Sequence, residues 1–207
     1  MDYRRTYRAA AVSFADLVSR LPDDRWGSPG LGDWTLRELV GHTVSSALRQ
    51  VPDVLAATGD TVTVDSPQGY WAFARSAPPE LVAAAVAASS DDARECGAWL
   101  GDEAAGRVSE LTGLATTALA AVRDDDVITT PAGAMRVRDW LPTRTFELVV
   151  HGTDIAEAAG VPFEVVPEAV AEAVTQAAQI AAAVGDATPV LRALTGRTPL
   201  PKNFSVI

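Results

Sequence analysis

Cysteine is almost missing from this chain. Cys96 is the only one in 207 residues, which excludes an internal disulfide framework and any multi-cysteine zinc or iron–sulfur site. Lysine is equally scarce, with Lys202 alone, and 17 basic against 27 acidic side chains leave a net charge of −10. Nucleic-acid phosphates repel so acidic a surface, and no nucleic-acid partner is expected. Aromatic residues make up 6%, too few for an aromatic-rich β-sandwich. No apolar run approaches the ~20 residues of a membrane-spanning helix; the alanine stretch around Ala83–Ala88 is far too short. The first twenty residues carry Arg4, Arg5, Arg8, Asp16 and Arg20 and do not read as a secretory leader. These absences point to a soluble, cytoplasmic protein without a membrane partner; a monomer or homodimer is expected, though no residue pattern fixes which.

What the chain has is apolar, helix-forming sequence, at 48% hydrophobic with much of it alanine. Its length suits one domain, or one plus an appendage. Ala10, Phe14, Leu17 and Leu21 recur at helical spacing and predict a first helix from about Tyr3 to Arg20. A Gly-, Pro- and Asp-rich loop over Pro22–Asp33 follows. Thr35 with Glu38 forms a capping box for a second helix, whose apolar stripe is Leu36, Leu39, Val40, Thr43 and Ala47, and which Pro52 bends or ends. Residues 59–79 read as a long connection with a short helical piece at Tyr70–Arg75. A third long helix is expected from Ser90 or Asp91 to about Arg123, and Gly101, Gly106 and Gly113 weaken it.

Val127–Thr130 and Met135–Val137 flank Pro131-Ala132-Gly133, as a small hairpin or an irregular crossing. A fourth helix is expected from about Asp139 to Ala159, with Pro142 tolerated in its first turn. Pro167–Val184 and a short helix from Thr188 to Gly196 complete the chain before an extended tail. The expected architecture is all-α: a four-helix bundle over residues 1–160 and a short helical C-terminal appendage over 161–207 that packs on it.

The chain has two histidines, His42 and His151. His151 follows Glu147 by one helical turn, and Arg144, Glu147, His151 and Asp154 fall within an arc of roughly 80°. Phe146, Leu148, Val150 and Ile155 flank this stripe. Polar residues so hemmed in by apolar ones belong inside a bundle, where His42 from the second helix can join them. Two imidazoles and a carboxylate are a three-ligand set for zinc or another first-row ion, with a coordination position left open. The same spacing also fits a surface stripe of ion pairs, and the pattern alone leaves both readings standing.

Trp34-Thr35-Leu36-Arg37-Glu38-Leu39-Val40-Gly41-His42 resembles a W-S/T-x-x-D/E-L-x-x-H motif, and Arg144 to Asp154 resembles R-x-x-E-x-x-x-H-x-x-D. Both belong to the mycothiol-dependent maleylpyruvate isomerase family, part of the DinB-like group of metal-binding four-helix bundles. The Leu191–Arg197 ending and the following Phe204-Ser205-Val206 are also similar to its relatives, and residues 59–92 are the least alike.

The resemblance implies a divalent metal, usually zinc, on His42, Glu147 and His151, with mycothiol or a similar low-molecular-weight thiol as cosubstrate. The metal would hold the thiol as its reactive thiolate. Arg144 and Asp154 would orient a ligand, or Arg144 would pair with a substrate carboxylate or with Glu147. The namesake isomerase has a longer C-terminal domain that adds to its active site, whereas fewer than fifty residues follow Gly160 here. No role therefore passes to Arg192 or Arg197, and a thiol S-transferase acting on a small electrophile fits better than the isomerase reaction itself. The alternatives are a non-catalytic metal-binding or stress-response bundle and a metal-assisted hydrolase using bound water.

Other features carry less. Cys96 reads as a packed small residue, and Trp34 and Trp140 as aromatic packing at helix entrances. The GSPGLG loop over Gly27–Gly32 lacks the strand-to-helix setting of a phosphate cradle.

Overall fold

A computed structural model describes residues 2–207, apart from the side chain of Ala74. The first helix, α1, runs over Tyr3–Ser19, started by Asp2, whose carboxylate accepts from Arg5 N. Tyr7, Ala10, Phe14 and Leu17 give it one continuous buried face. The second helix, α2 (Leu36–Val44), begins at the expected capping box. Thr35 N donates to Glu38 Oε2 at 2.7 Å, and Glu38 N donates to Thr35 Oγ1 at 3.3 Å.

Regular α-helix stops at Val44, ahead of the expected breaker Pro52. Its ring would clash with the carbonyl four residues earlier, and the chain widens into a π-helical turn over Ser45–Arg49, closed by Gln50 N on Ser45 O at 3.2 Å. Helix α3 (Val51–Ala56) then continues. The connection expected over 59–79 contains a longer helix than the piece at Tyr70–Arg75, namely α4 (Pro67–Ser76), capped by Ser66.

The single long helix expected from Ser90 to Arg123 is two helices, α5 (Pro79–Leu100) and α6 (Ala104–Ala120). Gly101, at φ 51°, turns the chain between them. Pro79, with its φ preset for a first turn, starts α5 well before Ser90. The segment after α6 is a true hairpin. Strands β1 (Val127–Thr130) and β2 (Gly133–Arg136) are antiparallel, with Ile128 opposite Met135.

Helix α7 (Val137–Ala159) starts two residues before the expected Asp139, so Pro142 lies inside it and not in the first turn. Gly160 ends it in the left-handed conformation. Helices α8 (Pro167–Ala183) and α9 (Ala187–Leu194) follow.

The four-helix bundle is all-α in its core: α1 packs on α6 and α7, and the run α2–α3 packs on α7 and α6 in turn. Helix α7 is buried on nearly every face, from Trp140 and Leu141 to Ile155. Helix α5 lies along α2 on the outside, where Gly41 and Gly97 let the two backbones meet. A Cβ on Gly41 would stand 2.5 Å from Gly97 N. Helix α8 packs on α7, α4 and α1. With its amide turned so that both partners are satisfied, Gln176 donates to Pro142 O at 3.1 Å and accepts from Trp71 Nε1 at 2.9 Å.

Candidate metal centre

The π-helical turn and α7 meet at the site. Helix α2 presents His42 and α7 presents Glu147 and His151, with one donor atom from each lying within 4.8 Å of the others. His42 Nε2 is 3.6 Å from Glu147 Oε2, and His151 Nε2 is 3.3 Å from the same oxygen. The two rings stand edge to face with centroids 5.0 Å apart. Glu147 is buried at 7% exposure, so this part of the stripe faces inward and is not a surface ladder of ion pairs.

Each ring is anchored on its far side. His151 Nδ1 lies 3.1 Å from Asp154 Oδ2, and His42 Nδ1 lies 3.2 Å from Ser89 Oγ. In neutral rings, donation from Nδ1 to these oxygens would leave both Nε2 lone pairs turned to a common point, the arrangement that outer partners impose on metal-ligating histidines. Trp34 backs the His42 ring at 4.8 Å between centroids.

The electrostatics concentrate negative charge at Glu147. Burial alone would push its carboxyl up, but hydrogen bonds from His151 and His42 and the Arg144 charge overcome this and hold it well below the usual carboxylate range. For His151, burial acts to lower the pKa, while the bonds to Asp154 and Glu147 and their charges raise it to about 9. A proton and a divalent cation therefore compete for the same cluster.

Arg144 is buried at 2% exposure, and its hydrogen bonds go to the backbone and to a hydroxyl. Nη1 donates to Ser46 O at 2.7 Å and Nε to Thr143 Oγ1 at 3.0 Å, with the guanidinium 5.2 Å from the Tyr70 ring centroid. Among the described residues Nη2 has no partner, and Arg144 makes no ion pair with Glu147. Ser46, on the π-helical turn, donates to Glu147 Oε2 at 3.3 Å. The wider turn is thus what lets one segment hold both Arg144 and Glu147.

A cavity of about 740 Å³ opens on His42 and Glu147, with Arg144 at its wall and the Arg49–Asp92 ion pair, Gln50 and Asp53 around it. The donors fit a divalent ion. Two imidazole nitrogens and one carboxylate oxygen converge, and the cavity leaves a side open to a further ligand. Cys96 lies elsewhere, fully buried, with burial pushing its thiol up to about 11.

Ser46, Ser89 and Tyr70 are the participants missed by reading the sequence. No local pattern marks them, because each reaches the site through a tertiary contact. The family model described as the mycothiol maleylpyruvate isomerase N-terminal domain matches residues 7–156. No curated protein and no solved structure matches the chain.

Proposed function

The chain belongs to the mycothiol maleylpyruvate isomerase N-terminal domain family, and from that premise we propose that it is a metal-dependent thiol transferase or isomerase. In this reading His42 Nε2, Glu147 Oε2 and His151 Nε2 hold a divalent ion, zinc first among the choices. The cosubstrate is mycothiol or a similar low-molecular-weight thiol, and the acceptor is a small electrophile. The 1–160 bundle carries the site, and 161–207 is an extension that braces α7. The observation that carries the reading is the convergence of two imidazoles on one carboxylate oxygen, each ring fixed from behind by Asp154 or Ser89.

A cation at that point supplies charge that stabilises the thiolate over the thiol near neutral pH. The chain's own groups do the rest. Asp154 and Ser89 hold the imidazoles in the tautomer that exposes Nε2. Glu147 supplies the negative charge that draws a cation. Arg144, a buried cation with a free donor at the cavity wall, favours an anionic sulfur or carboxylate there. The polar side chains around the cavity, Arg49, Asp92, Gln50 and Asp53, match a polar thiol that brings many hydrogen-bonding groups.

The test is a thermal-shift series on zinc-loaded protein with mycothiol, coenzyme A and glutathione. A ligand of the folded state raises Tm by mass action. The reading expects a rise with mycothiol that is lost in His151→Ala. No rise with any thiol moves the assignment to a non-catalytic metal-binding bundle.

A further inference from the structure

Beside the polar cavity lies a second one, of about 590 Å³, with the opposite chemistry. Its walls include Trp34, Trp71, Phe73, Leu81 and Val86, and none of its lining residues is charged. Tyr70, Ala85, Ser89 and Pro131 line both cavities, so the two adjoin beside His42, whose Nδ1 is 3.2 Å from Ser89 Oγ. Phe73, Leu81 and Val86 are 51%, 59% and 61% exposed, an apolar surface left open to water directly next to the candidate metal centre.

Resting on the thiol-transfer reading, we propose that this trough binds the carbon electrophile, and that the electrophile is apolar and flat, of the aryl enone class. The argument is one of matching. The two indoles and the Tyr70 ring are among the trough's walls, and aromatic walls suit a conjugated ring system. With no cation in the trough, a carboxylate would lose its hydration there and gain nothing in return. A dicarboxylate such as the maleylpyruvate of the family's name is therefore a poor occupant, and an uncharged enone a good one. The polar cavity takes the thiol and the trough takes its acceptor, and their junction at Ser89 and Tyr70 brings the two reactants together.

The step is an addition that needs no oxidant and expels no group. The thiolate sulfur bonds to the β-carbon. The π pair moves through the α-carbon onto the carbonyl oxygen. The α-carbon then takes up one proton, equal to the one the thiol lost, so the product is thiol plus enone.

Dihydrochalcone tests the trough without chemistry, since it keeps the shape of an aryl enone but has no double bond to attack. It is titrated into the zinc-loaded full chain, with tryptophan fluorescence as the signal from Trp34 and Trp71. The proposal expects saturable quenching and a Kd at least tenfold weaker in Val86→Asp, with zinc content and mycothiol affinity unchanged. Val86 is exposed, so an aspartate there does not enter the core. An unchanged Kd in Val86→Asp overturns the proposal. So does a dimeric wild type that Val86→Asp renders monomeric in sedimentation, which makes the trough a contact between copies of the chain. A wild type that binds mycothiol but not dihydrochalcone counts against the trough alone. Bound dihydrochalcone with no mycothiol affinity counts against the thiol reading, and with it the trough's role as an electrophile site.

Discussion

His151 Nδ1 lies 3.1 Å from Asp154 Oδ2, one turn further along the same helix. The carboxylate fixes the ring so that Nε2 faces Glu147, and its charge makes that nitrogen a better donor to a cation. Asp154→Asn keeps the shape and removes the charge. Zinc affinity, measured by competition with a chelator, should fall by roughly 10–100-fold. An unchanged affinity would mean that Asp154 is only a surface partner of the ring.

The contact between α2 and α5 sets the position of Ser89 behind His42. A methyl group on Gly41 would meet backbone atoms of Ala93 and Gly97, which cannot rotate away. Gly41→Ala should therefore cost about 3 kcal/mol or more in urea unfolding. On the other side of the site, a methyl on Gly152 would meet the ring of Phe163 at 2.5 Å, a side chain that can turn aside. Gly152→Ala should cost about 1 kcal/mol. The reverse order would contradict the packing described.

Glu172 on α8 is buried at 8% exposure, and among the described residues neither of its oxygens has a hydrogen-bond partner. Burial pushes its carboxyl up to about 7, against the smaller opposing pull of the nearby Thr145 and Thr6 hydroxyls. The folded state thus keeps a proton that the unfolded chain releases near the ordinary glutamate value of 4.5. This contribution to stability is whole below pH 4.5, declines as pH rises to about 7, and stays lost above it. Glu172→Gln should match wild type at pH 4 and exceed it at pH 8 by on the order of 2 kcal/mol. Parallel urea melts at the two pH values check this, and an equal difference at both would contradict it.

The parts of the fold that rest on neighbouring residues were legible in the sequence. The Thr35–Glu38 cap is chemistry within one turn, and the Glu147–His151 pair is fixed by helical spacing. The length of α5 was not legible, because its N-terminal half is largely exposed and shows no apolar stripe to follow. Gly101 reads in the sequence as a weak point in a long helix, but only its positive φ shows that it separates two. By sequence Pro142 reads as a first-turn residue, because the start of α7 at Val137 depends on β2 delivering the chain to it. Ser89, 47 residues from His42 in the chain, meets it only because two glycines let α5 lie against α2.

The most direct test of the account is metal content. Wild type, His42→Ala and His151→Ala are loaded with zinc, dialysed against metal-free buffer and assayed by mass spectrometry, with circular dichroism as the check on folding. The account predicts about one ion per chain in wild type and almost none in either variant, all three remaining helical. Equal zinc in all three proteins would contradict it.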